Sequence, residues 1–201
     1  MKIVLATSNK GKVKEIEKFF VDHEIVPYTD LIEKFEIIED GQTFKANSII
    51  KAKAVSKALK VKGFDEVVIA DDSGISVEAL NWQPNIFSAR YAGVNASSSD
   101  NLQKMINELK YLKVNESSAF YTASIAIIDK DGDIQTTHGW MYGKVIPHIM
   151  GDGGFGYDPI FIPNNENQTL GVLKESIKAK HSHRIKALKL AKIILDKIDR
   201  S

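Results

Sequence analysis

The sequence predicts an α/β domain with a mixed β-sheet, because strand-like and helical segments alternate along the chain and one long hairpin interrupts them. The clearest strand is residues 67–70, a short apolar run rich in β-branched side chains. The clearest helix is residues 43–59, where apolar residues recur at helical spacing. The hairpin joins strand-like residues 119–128 and 134–142 through Asp129-Lys130-Asp131-Gly132, a favourable turn sequence.

The remaining elements follow from the same periodicities. Residues 2–6 form a short apolar run that predicts a buried first strand. A helix is expected after Gly11, which lies in a polar loop, because apolar residues then recur at helical spacing. Residues 97–100 have the spacing of a capping box before a helix near 101–109. An amphipathic helix over 183–198 ends the predicted elements.

Composition narrows the class of protein. The chain has 201 residues with 27 basic and 26 acidic side chains, so no overall field would hold it on nucleic acid or an anionic membrane. Cysteine is absent, which excludes disulfides and thiolate metal sites. No apolar run approaches the roughly 20 residues of a membrane span, and the N-terminal run is too short for a signal peptide. We expect a soluble cytoplasmic protein.

Two adjacent carboxylates follow the clearest strand, in the segment Ala70-Asp71-Asp72-Ser73-Gly74. Like charges at a strand end are costly unless a cation balances them, and Mg²⁺ prefers oxygen ligands that it shares with substrate phosphates. The same residue types are also typical of a β-turn, so the pattern favours neither reading. Glu39-Asp40 could bring a further carboxylate to the ion, although Asp40 alone is better explained as a helix N-cap.

The segment Thr7-Ser8-Asn9-Lys10-Gly11-Lys12 stands between a strand and a helix. Backbone N–H groups at a helix N-terminus, with lysines and hydroxyls beside them, suit a phosphate chain. The segment is not a Walker A loop, because the first glycine is missing and Val13 stands where Ser or Thr is required. An ordinary polar strand-to-helix turn is the alternative.

Three later segments could contact a nucleotide. In residues 153–159, three glycines would let the backbone approach a ligand, while Phe155 and Tyr157 offer flat faces for a base or fold back onto the core. Residues 178–184 concentrate donors at the entry to the last helix, as an anion site or a solvated helix start. Arg90, in Ser88-Ala89-Arg90-Tyr91, is either a phosphate clamp or half of a surface ion pair.

Taken in order, these segments resemble the inosine triphosphate pyrophosphatases, which remove aberrant purine nucleotides from the nucleotide pool. The resemblance spans nearly the whole chain and keeps the order of the motifs. The motifs are Thr7-Ser8-Asn9-Lys10-Gly11-Lys12, Gly41-Gln42-Thr43-Phe44 with Asn47 and Lys51-Ala52, Ala70-Asp71-Asp72-Ser73-Gly74, Ser88-Ala89-Arg90-Tyr91, Gly153-Gly154-Phe155-Gly156-Tyr157-Asp158-Pro159 and Ser182-His183-Arg184.

The resemblance implies a single domain over residues 1–201, two-lobed, with a long mixed sheet flanked by helices and a nucleotide cleft between the lobes. It implies a homodimer that hydrolyses the α–β phosphoanhydride of ITP, dITP or XTP. Asp72 would be the catalytic base and, with Glu39, a Mg²⁺ ligand. The implied substrate-binding residues are Thr7, Ser8, Asn9, Lys10, Gly11, Lys12, Ser73, Phe155, Gly156, Tyr157, Asp158, Lys178, His183 and Arg184.

One departure bears on the metal. Ala46 stands directly before Asn47, where the resembled family commonly has Glu, so Glu39 or Asp71 would have to compensate. A pyrophosphatase for other modified nucleotides and a non-catalytic nucleotide-binding module are the competing functions. The donor-rich residues 182–184 argue against the first, and the retained Asp72 argues against the second.

Overall fold

The computed structural model describes residues 1–200, apart from the side chain of Lys10. Within them the chain forms seven strands and five α-helices. The strands are β1 (Lys2–Leu5), β2 (Glu24–Pro27), β3 (Val67–Val77), β4 (Gln83–Pro84), β5 (Ser117–Ile128), β6 (Ile134–Val145) and β7 (Phe161–Pro163). The helices are α1 (Lys10–Phe19), α2 (Phe44–Val61), α3 (Ser98–Tyr111), α4 (Glu175–His181) and α5 (His183–Ile198).

The strands form one mixed sheet in the order β2-β1-β3-β5-β6-β7, with β4 paired to β3. β1 pairs in parallel with both β2 and β3, whereas β4 runs antiparallel to β3 and β7 antiparallel to β6. The predicted α/β class with a mixed sheet is therefore confirmed. No helix within residues 1–200 combines the length and the apolar character that crossing a bilayer requires.

The chain divides into two compact units. The first consists of residues 1–72, 123–138 and the chain from Arg184 onward. Its sheet carries an apolar layer on each face, because side chains alternate along a strand. Val67 and Ile69 pack with α1 and α5, while Val68 and Ala70 pack with α2.

The second unit consists of residues 73–122 and 139–183. A single apolar cluster fills it, built from α3, the second half of β3, the first part of β5 and the segment around β7. The capping box predicted for α3 is present, since the Ser97 hydroxyl accepts the Asp100 N–H and the Asp100 carboxylate accepts the Ser97 N–H. It fixes the start of the helix that covers this core.

The structure corrects three local predictions. Residues 71–74 are not a turn, because β3 continues through them to Val77. Gly11 lies inside the first turn of α1 rather than in the preceding loop. Lys178 and Lys180 belong to the separate helix α4, where they occupy the last turn, and only His183 and Arg184 begin α5. The bounds predicted for the last helix, 183–198, are confirmed.

Candidate active site

The two adjacent aspartates of β3 lie on opposite faces of the sheet in the first unit. Asp71 continues the row of Val67 and Ile69 toward α1 and α5, whereas Asp72 continues the row of Val68 toward α2. Each carboxylate therefore meets different cations. The continuation of the strand, which the turn reading missed, is what separates the two acids.

Asp71 is enclosed by cations. Its side chain is fully buried, and its Oδ2 lies 2.6 Å from Lys12 Nζ and 3.2 Å from Arg184 Nε. Burial by itself would raise the pKa of Asp71, but Lys12 and Arg184 outweigh it and hold this pKa well below the ordinary value. The carboxylate stays ionised and is committed to ion pairs, which leaves it poorly suited to accept a proton.

Arg184 is held from two sides. Its Nε donates to Asp71, and its Nη1 lies 2.5 Å from Glu15 Oε2 on α1. Burial lowers the pKa of Arg184, but the two carboxylates raise it by more than burial lowers it. The guanidinium therefore remains charged. The guanidinium is thus fixed at the start of α5, one residue after His183.

Among the residues that the structure describes, Asp72 forms an ion pair with one cation. Lys51, from α2, places its Nζ 2.8 Å from Asp72 Oδ1 and 2.8 Å from Glu39 Oε2. Burial raises the pKa of Asp72 and outweighs the lowering effect of Lys51. Asp72 is therefore a stronger base than an exposed aspartate, whereas Asp71 is a weaker one.

The same three residues decide whether the site suits a divalent metal. Glu39 and Asp72 share one ammonium, and Asp72 Oδ2 is buried without a hydrogen-bond partner among the described residues. In residues 1–200, no group of three or more acidic, histidine or cysteine side chains is arranged to hold a metal. A two-carboxylate site fits Mg²⁺, which is commonly bound by one or two carboxylates together with substrate phosphates.

The geometry favours Glu39 over Asp71 as the acid that compensates for Ala46. Glu39 shares a cation with Asp72, whereas Asp71 is occupied by its own ion pairs. The segment that carries Glu39 is tied to α2, since Asn47 Oδ1 accepts the Gly41 N–H at 2.8 Å. Asp40 is not the N-cap of α2; that position belongs to Thr43, whose hydroxyl accepts the Ala46 N–H.

The predicted phosphate segment spans the end of β1 and the start of α1. Asn9 is the N-cap of α1, and its Oδ1 accepts the N–H groups of Gly11 and Lys12 at 2.9 and 3.2 Å. Thr7 Oγ1 in turn accepts the Asn9 N–H. Ser8 and Asn9 are exposed, and the Lys10 side chain lies outside the described part of the structure. Phosphate binding here stays a prediction.

In the second unit, the glycine loop presents one aromatic ring and buries the other. Phe155 is 70% exposed, whereas Tyr157 is 5% exposed and donates its hydroxyl to the Ser88 carbonyl at 2.8 Å. Asp158 Oδ2 accepts the Phe155 N–H at 2.9 Å, and burial raises the pKa of Asp158 to about 6. Phe155 therefore remains available to stack on a base, while Tyr157 belongs to the core.

Gly156 is the turn between those two rings, with φ +63, a conformation that favours glycine. On α4, the half-buried Lys178 pairs with the exposed Glu175 at 2.9 Å. Ser73 is half-buried in β3.

The Ser88-Ala89-Arg90-Tyr91 motif also lies in this unit. The Ser88 hydroxyl accepts the Ile75 N–H at 2.9 Å and donates to the Asn85 carbonyl at 2.6 Å, so it fixes the backbone beside β3. The Arg90 guanidinium lies 5.1 Å over the Phe87 ring.

Two residues that contact Arg184 or His183 were not predicted from the sequence. Glu15 pairs with Arg184, but a glutamate on an amphipathic helix gives no sign that it is committed to a partner. Tyr121 stacks on His183 with ring centroids 4.9 Å apart. Tyr121 could have been identified from the sequence, because it is an aromatic residue with a hydroxyl at an inward-facing position of the alternating strand β5.

Known proteins resemble the chain over almost its full length. The profile of the Ham1 family matches residues 3–193. A protein of Sulfurimonas denitrificans named dITP/XTP pyrophosphatase is 55% identical, covering 97% of this chain and 98% of its own. One of Nautilia profundicola with the same name is 54% identical, covering 99% and 100%. The solved structure of the Staphylococcus aureus Ham1 protein superposes with a TM-score of 0.85 at 36% identity, covering 98% and 99%. The chain belongs to the Ham1 family.

Proposed function

We propose that the chain, acting as one domain over residues 1–201, hydrolyses deaminated purine nucleoside triphosphates (ITP, dITP and XTP) to the monophosphate and pyrophosphate. The names of the Sulfurimonas and Nautilia relatives support this substrate class. The observation that carries the proposal is Asp72, a half-buried carboxylate with a raised pKa that shares Lys51 with Glu39.

Asp72 acts as the general base. It takes a proton from a water molecule, whose oxygen attacks the α-phosphorus while the bond to the bridging oxygen of the pyrophosphate breaks. The raised pKa of Asp72 makes this transfer more favourable than it would be to Asp71. Lys51 keeps the Asp72 carboxylate in place and, with Lys12 and Lys178, supplies positive charge for the departing pyrophosphate.

Glu39 and Asp72 are the residues that would hold Mg²⁺. When bound, the ion neutralises phosphate oxygens and so lowers the cost of the charge that develops during hydrolysis. Thr7, Ser8, Asn9, Lys10, Gly11 and Lys12 bind the phosphate chain around the N-terminus of α1.

The base is recognised by stacking and by hydrogen bonds. Phe155 offers an exposed ring, Gly156 and Asp158 shape its loop, and the buried Tyr157 anchors that loop to the core. Ser73 completes the binding set. His183 and Arg184 provide donors for the 6-oxo group of hypoxanthine or xanthine. Adenine carries an amino group there and would leave those donors unpaired, which can cost several orders of magnitude in kcat/KM.

The enzyme works as a homodimer in the cytoplasm, with no nucleic-acid or membrane partner. The near balance of 27 basic and 26 acidic residues supports the absence of a polyanionic partner. Light scattering of the purified full chain measures the oligomeric state, and a monomer at assay concentrations would contradict the dimer.

The deciding experiment is pyrophosphate release from ITP, XTP, ATP and GTP with Mg²⁺, for the wild type and Asp72→Asn. We expect ITP and XTP to be preferred, and Asp72→Asn to lose roughly 10²- to 10⁴-fold in kcat. Asp65→Asn, an exposed acid in a 3.8 Å surface pair with Lys60, is the control and should retain wild-type rates. Equal rates on ITP and ATP would refute the substrate class, and full activity of folded Asp72→Asn would refute the base.

A further inference from the structure

Tyr121 connects the core of the second unit to His183. Its side chain is 8% exposed, and its ring packs against Phe161 with centroids 4.9 Å apart at 64°. The same ring stacks on the imidazole of His183 at 4.9 Å and 13°. Phe161 is fully buried, so the core fixes Tyr121. The half-buried imidazole therefore rests on a ring that cannot easily move.

The hydroxyl of Tyr121 makes a second connection. It donates to Asp158 Oδ1 at 3.4 Å, while Asp158 Oδ2 accepts the N–H of Phe155 at 2.9 Å. Burial raises the pKa of Tyr121 well above its ordinary value, so the hydroxyl keeps its proton at neutral pH. The carboxylate of Asp158 thus spans from Tyr121 to the backbone that carries the exposed Phe155 ring.

We propose that Tyr121 is a positioning residue for purine recognition, orienting His183 through its ring and the Phe155 loop through its hydroxyl and Asp158. The inference rests on the function proposed above, in which Phe155 and His183 contact the base. Tyr121 itself touches no substrate. It affects recognition because its ring stacks on His183 and its hydroxyl is linked through Asp158 to the Phe155 loop.

The two connections affect different kinetic quantities. Stacking on Phe155 is tolerant of base identity because every base has a π-face, so disturbing the loop weakens all nucleotides alike. Hydrogen bonding from His183 depends on the group at purine position 6, so disturbing the imidazole weakens discrimination. Removing the Tyr121 hydroxyl should therefore change affinity for all nucleotides, whereas removing its ring should also change the selectivity between ITP and ATP.

The test compares Tyr121→Phe and Tyr121→Leu in the full-length enzyme with Mg²⁺, using ITP and ATP. Tyr121→Phe keeps the stack and loses the hydroxyl, so KM should rise about two- to fivefold for both nucleotides with an unchanged ratio of kcat/KM. Tyr121→Leu loses the stack as well, so the ITP-to-ATP ratio should also fall about three- to tenfold.

Matched controls come from neighbouring aromatic residues on the other face of the sheet. Phe120→Leu removes a ring and Tyr142→Phe removes a hydroxyl in a pair of rings whose centroids are 5.8 Å apart. Phe120 is half-buried and Tyr142 is exposed. Both should keep the wild-type ratio and KM. If Tyr121→Leu folds too poorly to assay, Tyr121→Met replaces it, since its flexible unbranched side chain fills irregular gaps more easily and is equally non-aromatic.

A double-variant cycle shows whether Tyr121 works through His183. In a His183→Ala background, Tyr121→Leu should cause no further loss of the ITP-to-ATP ratio. A folded Tyr121→Leu enzyme with the wild-type ratio, or full additivity in the cycle, would overturn the inference while leaving the proposed function intact. A wild type that does not prefer ITP would overturn both.

Discussion

Replacing Asp71 by Asn should destabilise the protein severely, although the change removes only one charge. The Asp71 side chain is fully buried and contacts Lys12 at 2.6 Å and Arg184 at 3.2 Å. Asparagine keeps the shape but leaves two cations facing a neutral amide. Removing one partner of a buried ion pair typically costs about 3–5 kcal/mol, because the remaining charge is left uncompensated. That is a large fraction of a typical total stability of about 5–15 kcal/mol.

The dependence on pH follows from the lowered pKa of Asp71. An acid whose pKa is lower in the folded than in the unfolded state contributes stability that is fully present above the unfolded-state pKa. That contribution is lost as the pH falls below the ordinary aspartate pKa of 3.8 toward the folded-state pKa. The difference in unfolding free energy between wild type and Asp71→Asn should therefore be constant from neutral pH to mildly acidic pH and shrink below it.

Urea unfolding followed by circular dichroism measures this difference at neutral pH and at a series of acidic pH values. Asp65→Asn is again the control, since its exposed pair with Lys60 should be worth less than about 1 kcal/mol. An Asp71→Asn difference as small as that of the control at neutral pH would show that the buried ion pairs do not stabilise the fold. A difference that grows with acidity would contradict the linkage.

Two other variants test the Asp72 side of the sheet. Lys51→Met removes the cation that lowers the pKa of Asp72. The acidic limb of the pH–kcat/KM profile for ITP should therefore move to higher pH. An unmoved limb would exclude Asp72 as the titrating group. Gly41→Ala would place a Cβ 2.6 Å from Asn47 Oδ1. We therefore expect the free energy of unfolding in urea to fall by about 1–3 kcal/mol and kcat to decrease. Wild-type stability would show that the Glu39 segment tolerates displacement.

Periodicity predicted the regular elements well because their causes are local. The last helix, residues 183–198, and the capping box before α3 lie where they were predicted. Residues 71–74 were harder to predict, because Asp and Gly disfavour strands by themselves. Here Asp71 and Asp72 each form ion pairs, and the close approach of Ser88 to Gly74 leaves no room for a Cβ. These partners are distant in sequence.

The residues of the candidate site could be predicted from sequence motifs, but the contacts among them could not. Asp72, Glu39 and Lys51 were all singled out from the sequence, and the structure brings them together. Nothing in the sequence indicated that one ammonium would bind both carboxylates, because ion pairing depends on which faces of α2 and β3 meet. Glu15 and Tyr121 were missed for the same reason.

The alternation of side chains along β3 has a consequence for how this protein can change over evolution. Asp71 and Asp72 are neighbours in the chain, yet each contacts its own cations on its own face of the sheet. Substitution of Asp71 itself mainly changes the tolerance of the fold to heat and acid, because its carboxylate is occupied by ion pairs with Lys12 and Arg184. Substitutions around Asp72 on α2 mainly change turnover. Selection can thus adjust durability at Asp71 and rate at Asp72, even though a single peptide bond joins the two acids.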